Sequence, residues 1–159
     1  MARARKIPGI DSGVSFGDAA ARTVEVRAQE LFSFADGVHD TSDPERVHDM
    51  RVATRRLRAA LEVFAVCFPK GEHEALLREV KLLADALGER RDPDVQIIAL
   101  EKLQTDLGNG ERSGLNGLLA VLRARQGRGN ERVHGAIERA RELRLEERLA
   151  ELAGKAARS

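Results

Sequence analysis

Four basic side chains, His48, Arg51, Arg55 and Arg58, follow one another at steps of three, four and three residues. At about 100° of turn per residue, such steps keep side chains within roughly a quarter of a helix's circumference. A guanidinium stays charged at any physiological pH and offers a planar fork of donors that fits two phosphate oxygens at once. His48 adds a donor whose charge changes near neutrality, so anion binding that uses it should tighten as the pH falls. Along a helix the four positions span about 15 Å, a length suited to an extended polyanion rather than to one small metabolite. Ion-paired helix faces set acids four residues from bases, yet only Glu62 stands in that position for Arg51, Arg55 or Arg58. The stripe therefore has two readings: it meets an external chain of negative charge, or acids elsewhere in the fold neutralise it in a purely structural or adaptor bundle.

Other chemistries find little support in the residues. His48 and Asp49 are neighbours rather than a facing pair and no HExxH-like spacing occurs, so no metal site is expected. Cys67, the single cysteine, sits beside Phe68 and suits core packing; no intramolecular disulfide can form. Asp49 and Asp92 would meet only through tertiary folding. No phosphate-cradling GxxxxGK[ST] loop is present, and no nucleophile stands beside a base. The expectation is a protein without enzymatic activity or cofactor. Nucleic acid is a weaker candidate partner, because no aromatic residue stands among the arginines to stack bases.

Positioning such a stripe requires helices, and the composition favours them. Hydrophobic residues make up 42% of the chain, with no Trp or Tyr and five Phe, while charged residues make up 33%. Net charge is only +1, but its distribution is uneven. Between Arg46 and Arg58 five arginines face one acid, Asp49, whereas between Glu72 and Asp106 nine acids outnumber five bases. Such segregation lets a nearly neutral protein present a basic face.

Residues 1–14, with Pro8, Gly9 and Gly13, suggest a flexible arm, and residues 15–159 a single domain. Apolar residues at helical spacing predict a first helix over about Gly17 to Gly37. Ser42 or Asp43 can cap a second that starts with Pro44 in its first turn and runs to about Cys67. A third is expected from Glu72 to Leu87, closed by Gly88, and a fourth from Asp92-Pro93 toward Gly108. A short helix around Leu118 to Leu122 and a long one from Asn130 to Leu152 follow, with residues 108–129 left open between helix and loop. The predicted architecture is all-α, an antiparallel bundle of five or six helices. The basic N-terminus lacks an apolar stretch behind Arg3, Arg5 and Lys6, so neither a signal peptide nor a membrane span is expected, and a cytoplasmic location is.

The string from Val47 to Arg58, VHDMRVATRRLR, followed by Leu61, Phe64 and Phe68-Pro69, closely resembles the signature of the CHAD domain, the conserved-histidine alpha-helical domain. Leu83 to Gly88, then Arg91-Asp92-Pro93-Asp94-Val95, resembles that family's second recurrent segment; the resemblance is clear from about Glu45 to Leu103. It implies a helical bundle that binds inorganic polyphosphate through basic residues lining a groove or pore, without breaking the polymer down. It carries that role to His48, Arg51, Arg55, Arg56 and Arg58, with Lys81 and Arg91 as contributors and association with polyphosphate granules as a corollary. Arg56 lies off the stripe and enters through the resemblance alone. Family members carry two histidine–arginine helices, whereas this chain has one clear copy. An echo occurs late: Glu131-Arg132-Val133-His134 repeats Glu45-Arg46-Val47-His48, and His134, Arg141 and Arg144 keep the spacing of His48, Arg55 and Arg58, although Ile137 stands where Arg51 would be. A half-length member of this kind is expected to form a homodimer with both stripes on a shared groove.

Overall fold

The computed structural model describes residues 3–108 and 110–156. Its five α-helices are α1 (Phe16–Phe32), α2 (Pro44–Val63), α3 (Lys70–Gln104), α4 (Arg112–Glu142) and α5 (Leu145–Gly154), with a 3-10 turn at Ala65–Cys67. No strand occurs among the described residues. Residues 3–15 carry no helix, but the Arg5 amide donates to Glu30 and the Arg27 guanidinium to the Arg5 carbonyl, which ties this stretch along α1.

The first two helix starts follow from capping. The Ser15 hydroxyl accepts from the Asp18 amide and donates to the Asp18 carboxylate, a reciprocal pair that opens α1. At α2 the cap is Asp43, whose carboxylate accepts from the Glu45 amide ahead of Pro44 in the first turn, while Ser42 bonds Asp40 instead. Gly37, at φ +75°, turns the chain between them, held by the Arg46 guanidinium on the Asp36 carbonyl.

Two expected breaks are absent. The chain stays helical through Gly88 and Pro93, so the third and fourth predicted helices are one element of 35 residues, α3. Pro93 removes a backbone donor at a cost of about 3 kcal/mol, and dense packing against α4 offsets it. Glu79 meets Arg139, Glu89 meets Arg132, Arg90 meets Asn130, Asp94 meets Gln126, and Ile97 packs with Leu119 and Leu122. This descending register makes α3 and α4 an antiparallel hairpin. Gly129 lets them close up: a Cβ there would lie 3.0 Å from the Arg90 Cα. On the other side α4 runs unbroken from Arg112 through Gly114 and Gly117, so of residues 108–129, left open by the sequence, 112–129 are helical, and residue 109 lies outside the described residues. The predicted final helix is instead divided at Arg144, whose left-handed φ of 50° starts α5 anew.

The main core gathers Val24 and Leu31 of α1, Met50 and Leu57 of α2, Val80 and Leu87 of α3, Val133 and Ile137 of α4, and Leu149 and Leu152 of α5. A second, smaller cluster of Ile97, Leu119 and Leu122 holds the far end of the α3–α4 hairpin. Cys67 is buried, and burial pushes its thiol pKa up, as packing rather than reactivity requires. His73 is buried too, bonded to the Leu61 carbonyl and stacked on Phe68.

Candidate functional site

Val47, Met50, Ala53, Thr54, Leu57 and Leu61 anchor one face of α2 in the core. That anchoring turns Arg51, Arg55 and Arg58 outward beside it, all exposed. They form one wall of a groove of about 520 Å³ between α2 and α3. Val52, Ala84 and Gly88 also line it, and Asp85, Glu89 and Asp92 of α3 stand on the opposite wall. At Gly88 no atom lies within 4 Å of where a Cβ would stand, so the absent side chain leaves the groove open at its middle.

The arginines differ in their partners. Arg51 and Arg55 have no carboxylate oxygen within 4.0 Å among the described residues. Arg58 meets Glu62 at 3.0 Å, and Glu62 also lies 3.6 Å from Lys81, so this trio marks one end of the groove. The Arg58 hydrogen bond is the main reason that the Glu62 carboxyl is held below its ordinary range. At the other end Arg91 approaches Glu45 at 4.0 Å and keeps a buried guanidinium nitrogen without a partner. Half-buried His48 lies one turn from Glu45; Glu45, His48 and Asp49 bring ligand atoms within 4.8 Å of one another, and among the described residues they form the group able to hold a cation.

Arg56 is set apart from this groove. Its guanidinium reaches α1, where Glu30, 1% exposed, also receives Arg27 and the Arg5 amide. The late echo does not line the groove either. His134 makes an edge contact with His39 at 4.9 Å between ring centres, Arg141 pairs with Asp36 and Glu138, and Arg144 lies 3.8 Å from Glu147. Burial first, then His134 and Arg141, hold the His39 pKa below the usual histidine value.

Sequence reasoning missed a second basic row. Arg125, Arg128 and Arg132 of α4 line a cavity of about 400 Å³ together with Gly129 and Glu89. Glu89 borders both spaces, so the α2 and α4 arginines flank the same ridge of α3. Arg132 is paired with Glu89, while Arg125 and Arg128 are exposed and without an ion-pair partner among the described residues. Their steps of three and four are visible in the sequence once residues 112–142 are taken as helix.

Chemically, the groove presents two unpaired guanidinium forks and a third in a labile surface pair, since exposed pairs of the Arg58–Glu62 kind are worth only about 0.5 kcal/mol. It offers anion recognition along a line, opposed by three carboxylates that weaken it. Among the described residues no helix is long and apolar enough to cross a membrane.

The CHAD domain matches residues 23–159. Similar solved structures include the following two. The crystal structure of the CHAD domain from the plant Ricinus communis has a TM-score of 0.67 at 23% identity, with 99% of this chain and 53% of that one covered. PptA from Streptomyces chartreusis has a TM-score of 0.67 at 20% identity, with 92% and 52% covered. This chain thus spans about half the length of either structure. No curated protein matches it. With that match over residues 23–159, the chain belongs to the CHAD domain family.

Proposed function

We propose that this protein binds inorganic polyphosphate, without catalysing its breakdown, along the arginine wall of the α2–α3 groove. Arg51 and Arg55 are the principal contacts. Arg58 lines the same space; His48, Lys81 and Arg91, outside its lining, extend the basic surface along α2 and α3, and the Arg125–Arg128 row continues it across α3. One observation carries the reading: Arg51 and Arg55 stand in an open groove with no carboxylate oxygen within 4.0 Å among the described residues. The association of the CHAD family with polyphosphate binding supports the choice of ligand. Internal pairing, the basis of the structural or adaptor reading, accounts for Arg90, Arg123, Arg132 and Arg139 on the acids of α3, but not for Arg51 or Arg55. Arg56, Arg141 and Arg144 are assigned to the scaffold, because their guanidinium groups are engaged away from the groove.

Long-chain polyphosphate, a DNA oligomer and orthophosphate titrated in moderate salt test this reading. Polyphosphate should bind tightest and orthophosphate weakest. Arg51→Ala/Arg55→Ala removes two charge-assisted contacts and should weaken polyphosphate binding by about tenfold to a hundredfold. Equal affinity for DNA and polyphosphate would make the groove a general polyanion site, and undiminished binding by the double variant would move the site elsewhere.

A further inference from the structure

The late echo of the histidine motif, left without a part in the groove, packs against the connection of residues 33–43 between α1 and α2. Val38 is fully buried in the main core and pins the middle of this connection. On either side of it the chain is bonded to α4: the Asn130 amide donates to the His39 carbonyl at 3.1 Å, and Arg141 donates to the Asp36 carboxylate at 3.2 Å. Asn130 also accepts from Arg90 at 3.4 Å, which extends the tie to α3. Beyond His39 the contact thins, because Asp40, Thr41 and Ser42 are exposed and a cavity of about 460 Å³ separates Thr41 and Ser42 from Arg123 and Gln126 of α4. The ring of His39 meets His134 edge to face, with 4.9 Å between centres. Its Nδ1 is buried and has no hydrogen-bond partner. A neutral imidazole can leave that nitrogen bare, but an imidazolium carries a proton on both nitrogens, and the proton on Nδ1 would find no acceptor.

We propose that the His39–His134 contact latches residues 39–43 onto α4 and that acid releases it. The charges around the ring set the sign. From α4, His134 and Arg141 oppose a positive charge on His39 and Glu138 favours one. Asp36 and Glu138 are both bonded to Arg141, Asp40 is bonded to Ser42, and Arg46 of α2 is bonded to the Asp36 carbonyl, so no carboxylate among these is bonded to the histidine. Burial first, then His134 and Arg141, favour the neutral ring, and Glu138 offsets only part of this. A histidine held below its ordinary value of 6.5 in the closed structure takes up a proton more readily once its segment opens. The latch is therefore closed above that value and is weakened as the pH falls below it. Opening starts at His39 and runs to Asp43, the cap of α2, while Val38 stays in the core. None of this depends on the polyphosphate reading.

Amide hydrogen exchange of the full chain tests the latch, measured at about pH 7.5 and about pH 5.5, on either side of the ordinary histidine pKa, and corrected for the intrinsic rate at each pH. The readouts are the Asp40 amide, which donates to the Gly37 carbonyl, and the Ser42 amide, which donates to the Asp40 carboxylate. Hydrogen bonds from Ser42 hold that carboxyl below its ordinary range, so it stays ionised at both values. In the wild type the two amides should lose protection several-fold in acid, while those of Ala28 and Met50, buried in α1 and α2, keep theirs. His39→Gln should abolish the loss, and His134→Gln, which removes one opposing charge, should reduce it. His48→Gln should respond as the wild type does. Protection unchanged in acid, a loss shared equally by Ala28 and Met50, a loss that persists in His39→Gln, or one abolished by His48→Gln would overturn the proposal.

Discussion

Arg51 and Arg55 owe their availability to the fate of the acids around them. Glu72, Glu79, Glu89, Asp94 and Glu101 are taken by bases of α3, α4 and the segment after α5, and Glu62 by Arg58 and Lys81. Removing the competing charges should therefore tighten binding. Glu62→Gln frees Arg58 and Lys81, and Asp85→Asn/Asp92→Asn neutralises the opposite wall; each should raise polyphosphate affinity several-fold in the same titration. Because the Glu62 carboxyl is held down by Arg58, it stays ionised until the pH falls below the ordinary glutamate range, and only there does acid release Arg58. Arg56 answers a different test. It completes a fully bonded buried carboxylate at Glu30, and breaking such a cluster costs about 3 kcal/mol. Arg56→Ala should lower the melting temperature while leaving polyphosphate affinity within about twofold, an interval of roughly 0.4 kcal/mol. The stripe itself was legible from residue spacing, but Glu30 was not, because its partners lie 3 to 26 positions away and no local pattern announces burial of a lone glutamate.

At the scale of elements, α2 could be read in advance. Asp43-Pro44 marks its start and its apolar arc faces the core as the period requires, although the helix ends at Val63 and a 3-10 turn takes the stretch to Cys67 where the sequence put its end. The hairpin could not. Pro93 and Gly88 are local signals for a break, and they lose to contacts that only tertiary structure creates, the bonds of Arg90 to Asn130 and of Asp94 to Gln126 across to α4, where the intrahelical Arg90–Asp94 pair is buried. Gly129 is the opposite case, a residue that looks like a helix weakness and serves as the closest approach of α4 to α3. Gly129→Val should push Arg90 aside and destabilise the protein by about 1–3 kcal/mol, measured by chemical denaturation. The break at Arg144 has no glycine to signal it, since a non-glycine residue holds the left-handed turn.

For the whole molecule, near-neutral composition concealed two rows of arginines on α2 and α4, and the uneven charge along the chain revealed the first of them. The α4 row stayed hidden because glycines at 114, 117, 127 and 129 obscured the helix that aligns it. Binding through such rows releases counterions, so the logarithm of affinity should fall linearly with the logarithm of salt concentration. That slope, measured for the wild type and for Arg51→Ala/Arg55→Ala, tests the central claim most directly. Two lost phosphate contacts should make the slope shallower by about two. An unchanged slope, with polyphosphate still bound, would mean that these two guanidinium groups never meet the polymer.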